Sequence, residues 1–531
     1  HENTEVAEDN MPLIRILPIL PILAACTLIC LSTLESAATV IHVPGDQPTV
    51  QIAVDVAASG DTVLVAAGTY PEGVVVLPKT LYLIGSGSSV TSIASLYYVE
   101  ATGAETSGGS LEAMGVLGAI EGGLAGPFEM ADCVCGGTAT IRTGDNGQVG
   151  DLAVTGSSFA GPTDWDALAP FSHVSIRSCD VVGGGIDANG GYVSVADCIV
   201  DGGSIRTYGE DCEVQRCHVT GGGVAVSVGQ FSAIAIDNVV SGAPVGIDIG
   251  ALEPVTVLGN KISACDVGVF TSSFLGAQVL ENHIRDCGTA LLSLATVFAN
   301  DNLIWDCVDG IVCRECGSEI ERNTIVDCTG DGVRFECPGV SRIVGNLVSQ
   351  CGTGVRGPAG GGTIECNDVW GSAVIDWADL TDPTGTGGNF RADPLFCGGD
   401  GAGGFQVDAV SPCLPGNHPD GADCGTVGAL GQGCDSSAEA PGPGETTTHG
   451  SALVATPNPS ASWIRVRGPS SSGSNLRIFD SGGRLLRELR RSSPDAAWEW
   501  DGRDATGAAV PSGAYYLRVD GALPSRILRI R

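Results

Sequence analysis

The feature that most constrains this chain is an Asn that returns at near-constant spacing through its middle third. It stands at Asn238, Asn260, Asn282, Asn302, Asn323, Asn346 and Asn367, with steps of 22, 22, 20, 21, 23 and 21 residues. Five residues after an Asn comes a Cys: Cys265, Cys287, Cys307, Cys328 and Cys351. Further along each unit sits a small apolar residue or pair, as at Val267/Val269, Leu291, Ile311, Val333 and Val355. Upstream the register continues with Cys in the place of Asn, at Cys133, Cys179, Cys198 and Cys217. Segment 156–170 reads as a loop insertion within one unit.

A unit of about twenty residues, built of short β-branched alternations, cannot bury its own apolar face. Coiled into a solenoid, each unit stacks on the last at the strand spacing of about 4.8 Å, and equivalent positions form ladders. Inward Asn amides then bond to one another along the axis. Stacked Cys acts as a small buried hydrophobe, and Gly serves corners with positive φ. Both ladders read as packing devices. The repeat predicts about twelve to fourteen coils and a rod on the order of 60 Å long.

Charge divides the chain. Residues 451–531 hold 12 Arg against 7 acidic residues, a net of +5, while the remainder carries −40 of the total −35. Such asymmetry predicts two modules. Lys79 and Lys261 are the only lysines. So acidic a surface excludes nucleic acid, whose phosphates need a basic face, and suits divalent cations or a basic partner.

The start reads as an export signal. Residues 1–10 precede the first Met and read as upstream sequence. Residues 11–38 form the signal, with a singly basic start, an apolar stretch Ile16 to Leu31, and the small residues Ser36-Ala37-Ala38 placing a mature start near Thr39. The rival reading is an acylated Cys26 after Leu23-Ala24-Ala25. Pro18 and Pro21 break the apolar run, which is short for a span, and no later segment could cross a membrane.

Residues 39–430 resemble the right-handed parallel β-helix, or pectin-lyase-like, group. The resemblance is carried by Thr49-Val50-Gln51 to Ala58, Gly60-Asp61-Thr62-Val63-Leu64-Val65, Gly68-Thr69-Tyr70-Pro71-Glu72 and Leu81-Tyr82-Leu83-Ile84-Gly85. At the other end it is carried by Asp393-Pro394-Leu395-Phe396, Phe405-Gln406-Val407, Ser411-Pro412-Cys413 and Val427-Gly428-Ala429. It implies a short helix capping the open first coil, a β-helix over 39–372 and a C-terminal cap over 373–434. Two disulfides among Cys397, Cys413, Cys424 and Cys434 would suit that cap.

A Pro/Gly/Ser/Thr linker at 435–450 follows. Residues 451–531 resemble the immunoglobulin-like module of flagellar hook-capping proteins and the sorting domains of type IX secretion cargo. The matching residues are Pro457-Asn458-Pro459, Leu476-Arg477-Ile478-Phe479-Asp480, Gly483-Arg484, Trp498-Glu499-Trp500-Asp501-Gly502-Arg503-Asp504, Gly507, Val510-Pro511-Ser512-Gly513 and Tyr515-Tyr516. Arg477 to Asp480 and Ala514 to Val519 alternate as strands, and Asp501-Gly502 is a hairpin signal. The fold class is therefore all-β, a right-handed parallel β-helix followed by a small immunoglobulin-like β-sandwich. The resemblance implies a secretion-machinery partner, and an exported bacterial protein held extracellularly or at the outer surface.

The pectin-lyase-like group includes polysaccharide lyases, hydrolases and esterases, so each pattern was sought. Adjacent Asp-Asp and Gly-His-Gly are missing from the solenoid, and the one esterase-like motif, Gly68 to Glu72, also suits a non-catalytic first coil. A lyase would need Arg as its base. With Asn inward, residues four and two before it point outward. Glu319, Glu321, Arg342 and Glu365 would then lie side by side as the candidate catalytic face. On the next strand Arg334 and Arg356 would stack, with Glu336 nearby, as candidate binding residues. Such a patch could hold an acidic sugar with or without calcium, although no cofactor is firmly implied. The bland reading is a solvated face with rim ion pairs. Cys313, Cys316 and Cys337 hint at a metal cluster, with a local disulfide or buried thiols as the simpler readings. His173, His218 and His283 read as surface or ladder positions.

Three functions remain open. The leading one is a surface protein binding polysaccharide or envelope glycans. The second is a lyase or other enzyme of acidic glycans. The third is an adhesin or structural spacer.

Overall fold

A computed structural model of the chain describes residues 38–434 apart from 101–106, 145–148, 170, 229–230, 338–340, 361 and 399–401, together with 454–456, 463–467, 475–479, 485–491, 497–510, 513–519 and 525–529. The linker expected at 435–450, and all of the signal expected at 11–38 except Ala38, lie outside the described residues. The chain divides into two compact units, 1–437 and 438–531.

The first unit is a parallel β-solenoid with three strand rows. Row I is a sheet of 16 strands running from Val40–Val43 to Thr363–Glu365, every pair parallel. Rows II and III make up a second sheet of 28 strands. Row II includes His283–Arg285, Thr324–Val326 and Asp368–Trp370, and row III includes Thr163–Ala167, Asp331–Phe335 and Ile375–Ala378. Sixteen coils at about 4.8 Å give a rod of roughly 70 Å, longer than the repeat predicted.

Segment 156–170 is a regular coil and not an insertion. It supplies Ser158–Phe159 to row II and Thr163–Ala167 to row III. Phe159 and Trp165 are both buried and meet edge to face at 5.6 Å. Two large rings fill space that smaller residues fill elsewhere, which disguised the repeat.

The Asn side chains form one continuous ladder. Asn302 shows the pattern: its Nδ2 donates to Asn323 Oδ1 at 2.9 Å and to Val279 O at 2.7 Å. Its Oδ1 accepts from the backbone N and the Nδ2 of Asn282, both at 3.0 Å. Every polar atom of the buried amide is thereby satisfied. Asn389 adds a further rung, accepting from Asn367 Nδ2 at 2.9 Å. At the other end Cys217 N donates to Asn238 Oδ1 at 2.9 Å, so Cys does stand in the Asn place.

The corner before each rung has positive φ. Gly takes it at Gly259 and Gly345, but Asp237, Glu281, Asp301 and Arg322 take it with φ of 50–57°. Corners were thus not reserved for Gly, and the charged ones pair along the axis. Arg322 holds Asp301 through two hydrogen bonds of 2.8 and 2.7 Å, and Arg216 holds Asp197 likewise at 2.7 and 2.8 Å.

The first coil is closed by a helix, α1 (Val50–Val56), which buries Val50, Ala53 and Val54. Thr49 caps its start. Glu72 accepts from Val50 N at 2.7 Å, and Lys79 Nζ donates to Val54 O and Ala57 O at 2.6 and 2.8 Å. An acid at the helix start and a base at its end both oppose the helix dipole.

The far end folds back along the rod. Gly428 N donates to Gly345 O at 2.7 Å, and Ala429 N donates to Thr324 Oγ1 at 2.9 Å. This strap covers the outward residues Leu303, Thr324, Leu347 and Asp368 of row II, which are at most 1% exposed. Cys397–Cys434 is one of the expected disulfides, but Cys424 pairs with Cys366 of the last ladder corner. Cys413 stays a buried thiol beneath the strap, hydrogen-bonded to Asp368 Oδ2 at 3.3 Å.

The second unit packs an antiparallel sheet of Val454–Thr456, Ile464–Arg467 and Trp498–Trp500 with another of Leu485–Arg490, Asn475–Phe479, Gly513–Arg518 and Ser525–Arg529. Its core holds Ile464, Val466, Leu476, Ile478, Trp498, Trp500, Tyr515 and Leu517. Asp501-Gly502 does not close a hairpin. The strands on either side pair in different sheets, so the turn carries the chain across the sandwich.

Candidate ligand groove

Outward positions of row I fall into columns, one residue per coil. Glu319 registers with Arg342, and Glu321 with Val344 and then Glu365. The fold therefore brings the four candidate residues together. Arg342 is bound to Glu321. That bond and the charges of Glu321, Glu319 and Glu365 hold its guanidinium still more firmly protonated. A guanidinium so held is a poor proton acceptor.

Arg334 and Arg356 also register with each other, but on row III, another wall of the solenoid. They serve an ion-pair network that the sequence reading missed. Arg356 reaches Asp331 at 3.0 Å and Asp379 at 2.8 Å, and Arg334 reaches Asp309 at 3.4 Å and Asp331 at 3.5 Å. Glu336 lies 3.8 Å from both Arg334 and Arg314. The two sets of candidates do not form one site.

The metal hint resolves as a disulfide, Cys316–Cys337, with Cys313 buried in the core. Among the described residues no group of three or more His, Cys, Asp or Glu is placed to hold a metal. Cys265, Cys287, Cys307, Cys328 and Cys351 are buried thiols. His283 is partly buried against Trp305, and burial lowers its pKa.

The concavity of row I lies elsewhere on the same face, several coils toward the N-terminus. An open groove of about 490 Å³ is lined by His173, Ser175, Arg177, Tyr192, Ser194 and Glu213, among others. A second, of about 420 Å³, continues it through Asp151 and Glu129 to Tyr82, and shares His173 and Ser175. Together they run over eight row I strands, from Thr80–Gly85 to Ala233–Ile236, or roughly 34 Å at strand spacing.

Register builds this groove. His173, Tyr192 and Asp211 occupy one column, and Ser175, Ser194 and Glu213 the next. The His173 and Tyr192 rings stack at 4.9 Å with planes 16° apart. Asp151 Oδ1 accepts from His173 N at 2.9 Å and lies 3.3 Å from its Nδ1, which fixes the ring. Arg177 Nε donates to Ser175 Oγ at 3.3 Å. Ser194 Oγ is shut off from solvent without a hydrogen-bond partner. A donor buried in this way costs free energy until something bonds to it.

A sequence signal for these residues exists. His173, Tyr192 and Asp211 each stand six residues before Cys179, Cys198 and Cys217, and Ser175, Ser194 and Glu213 stand four before them. The offset of four that selected Glu319 and Arg342 from their Asn selects Ser175, Ser194 and Glu213 from Cys. One further juxtaposition was invisible in sequence. Asp164 and Asp187, 23 residues apart, are register neighbours on row III, and burial followed by Asp187 raises the Asp164 pKa.

Two family models match parts of the chain. Residues 202–369 match the family model for a right handed beta helix region, and residues 458–524 match that for an FlgD Ig-like domain. Among solved structures, the A-module of the mannuronan C-5 epimerase AlgE6 of Azotobacter vinelandii is similar at 15% identity. The likeness covers 65% of this chain and 94% of that one, with a TM-score of 0.25. No curated protein matches in a sequence search. The first unit is thus a β-solenoid whose residues 202–369 match a right handed beta helix region, and the second unit matches an FlgD Ig-like domain.

Proposed function

We propose that this protein binds an extended glycan along the outward face of row I, centred on His173, Tyr192 and Ser175. The observation that carries the reading is the end-to-end placement of two depressions along row I. Two open depressions that adjoin at His173 and Ser175, spread over roughly 34 Å of the face, suit a linear polymer better than a compact ligand. The sheet face has its backbone donors and acceptors engaged in the ladder, so recognition there falls to side chains. That favours a polymer dense in hydroxyl groups over an extended peptide, which gains affinity by pairing with a free sheet edge. Phe171 and Phe231, 61% and 49% exposed, stand in the loops that lead to His173 and Ser232. They offer apolar surface to sugar rings at the groove's lip.

The lyase reading centred on Arg342 draws less support, because three carboxylates surround one committed guanidinium. Export and surface retention through the C-terminal module belong to the same proposal. Surface labelling of cells making the full chain, or the chain ended at residue 437, tests that part, and equal labelling of both would refute it.

The binding test is a titration with linear oligosaccharides of increasing length. Affinity should rise with length and level off near the span of the groove. Equal affinity for monomers and long oligomers, or no binding to any glycan, would refute the reading.

A further inference from the structure

The groove carries more negative charge than it neutralises. Four carboxylates line it, Glu129, Asp151, Asp211 and Glu213, against one guanidinium, Arg177. Two of the four are engaged locally. Asp151 is held by His173, and Asp211 accepts from Ser232 N at 2.9 Å. Among the described residues no hydrogen bond or ion pair reaches Glu129 or Glu213. Arg216 feels the charge of Glu213 but is bound to Asp197 by two hydrogen bonds.

Glu129 and Glu213 share one column, with Ala153, Ser175 and Ser194 between them. Four strand steps separate them, roughly 19 Å along the axis. They bracket the stacked rings and the unpartnered Ser194 hydroxyl. Carboxylates left unpaired in a concavity repel a uronate and attract a cation, and the −40 charge of residues 1–450 adds a field of the same sign.

Resting on the glycan reading above, we infer that the groove selects a glycan carrying free amino groups, with Glu129 and Glu213 as its charge-reading residues. The repeating ammonium groups of such a chain would meet one carboxylate on each side of the His173–Tyr192 stack. Its hydroxyls would meet Ser175 and Asp211.

The test compares three hexasaccharides on the full chain by calorimetry: β-1,4-linked glucosamine, its N-acetylated counterpart, and an oligouronate with and without calcium. The glucosamine oligomer should bind best, and its affinity should fall with added salt. The double variant Glu129→Gln/Glu213→Gln should lose roughly tenfold toward that oligomer and little toward the acetylated one. Equal binding of aminated and acetylated chains, both unmoved by the double variant, would overturn the inference and leave the glycan reading standing. Tightest binding of the oligouronate, with calcium or without, would also overturn it. Failure of every glycan to bind would remove the underlying reading itself. Circular dichroism of the double variant separates lost binding from lost folding.

Discussion

The imidazole of His173 stacks on the phenol ring of Tyr192, one coil further on, at 4.9 Å and nearly parallel. The pair sits mid-groove, where strand register fixes both backbones and Asp151 fixes the imidazole.

Removing Tyr192 should therefore damage binding more than it damages the fold. Aromatic pairs contribute about 0.5–1.5 kcal/mol beyond burial, so Tyr192→Ala should lower the melting temperature by a few degrees at most, while glycan affinity, measured where the protein is fully folded, falls roughly tenfold. Arg342→Ala, which removes a side chain outside the groove, should change affinity less than about twofold. Calorimetric titration of both variants checks this. A larger loss from Arg342→Ala would move the site to the C-terminal coils.

Asn302→Ala should destabilise the solenoid by about 2–4 kcal/mol. It removes the acceptor for Asn282 N and Nδ2 and the donor for Val279 O. All three groups are buried against a neighbouring coil. Denaturant unfolding measures the loss, and a change below about 0.5 kcal/mol would show the ladder to be ornamental.

The strap over row II should respond to pH. Burial raises the pKa of Asp368 to about 7. The unfolded chain releases this proton near the ordinary carboxylate value, so the folded state binds more protons in between. Stability contributed by neutral Asp368 is full below about pH 4 and is lost as pH rises toward about 7, by a few kcal/mol at most. Asp368→Asn should flatten that slope and melt higher than the parent at pH 8. Thermal melts from pH 4 to pH 8 decide it.

Reduction should loosen the same strap. Cys366–Cys424 and Cys397–Cys434 close separations of 58 and 37 residues, each contributing about 4 kcal/mol in a chain-entropy account. Native alkylation after mild reduction should label those four cysteines and Cys316 and Cys337, while the buried ladder thiols stay unlabelled until the protein is denatured. Mass spectrometry of the labelled peptides reads the result.

The sequence by itself determined the coil. Where Asn recurs with Cys five residues on, period and register follow, because only an inward, stacked amide meets all its hydrogen bonds from its own equivalents. The outward neighbours Glu319, Glu321 and Arg342 could be placed from that marker. Upstream the marker is a Cys, which needs no such partners and so announces its register weakly. The groove residues, of which Ser175, Ser194 and Glu213 share the offset of four, went unread, and the coil built on Phe159 and Trp165 was taken for a loop.

Only the tertiary structure decided which stretch of the row I face is concave, which carboxylates stay unpaired in it, and where the C-terminal strap lies. These depend on the paths of loops and on contacts such as Ala429 with Thr324, 105 residues apart. A repeat specifies the relation of each coil to the next, and that relation is local. The shape of the wall and the return of the chain along it arise from contacts between coils that carry no common sequence mark.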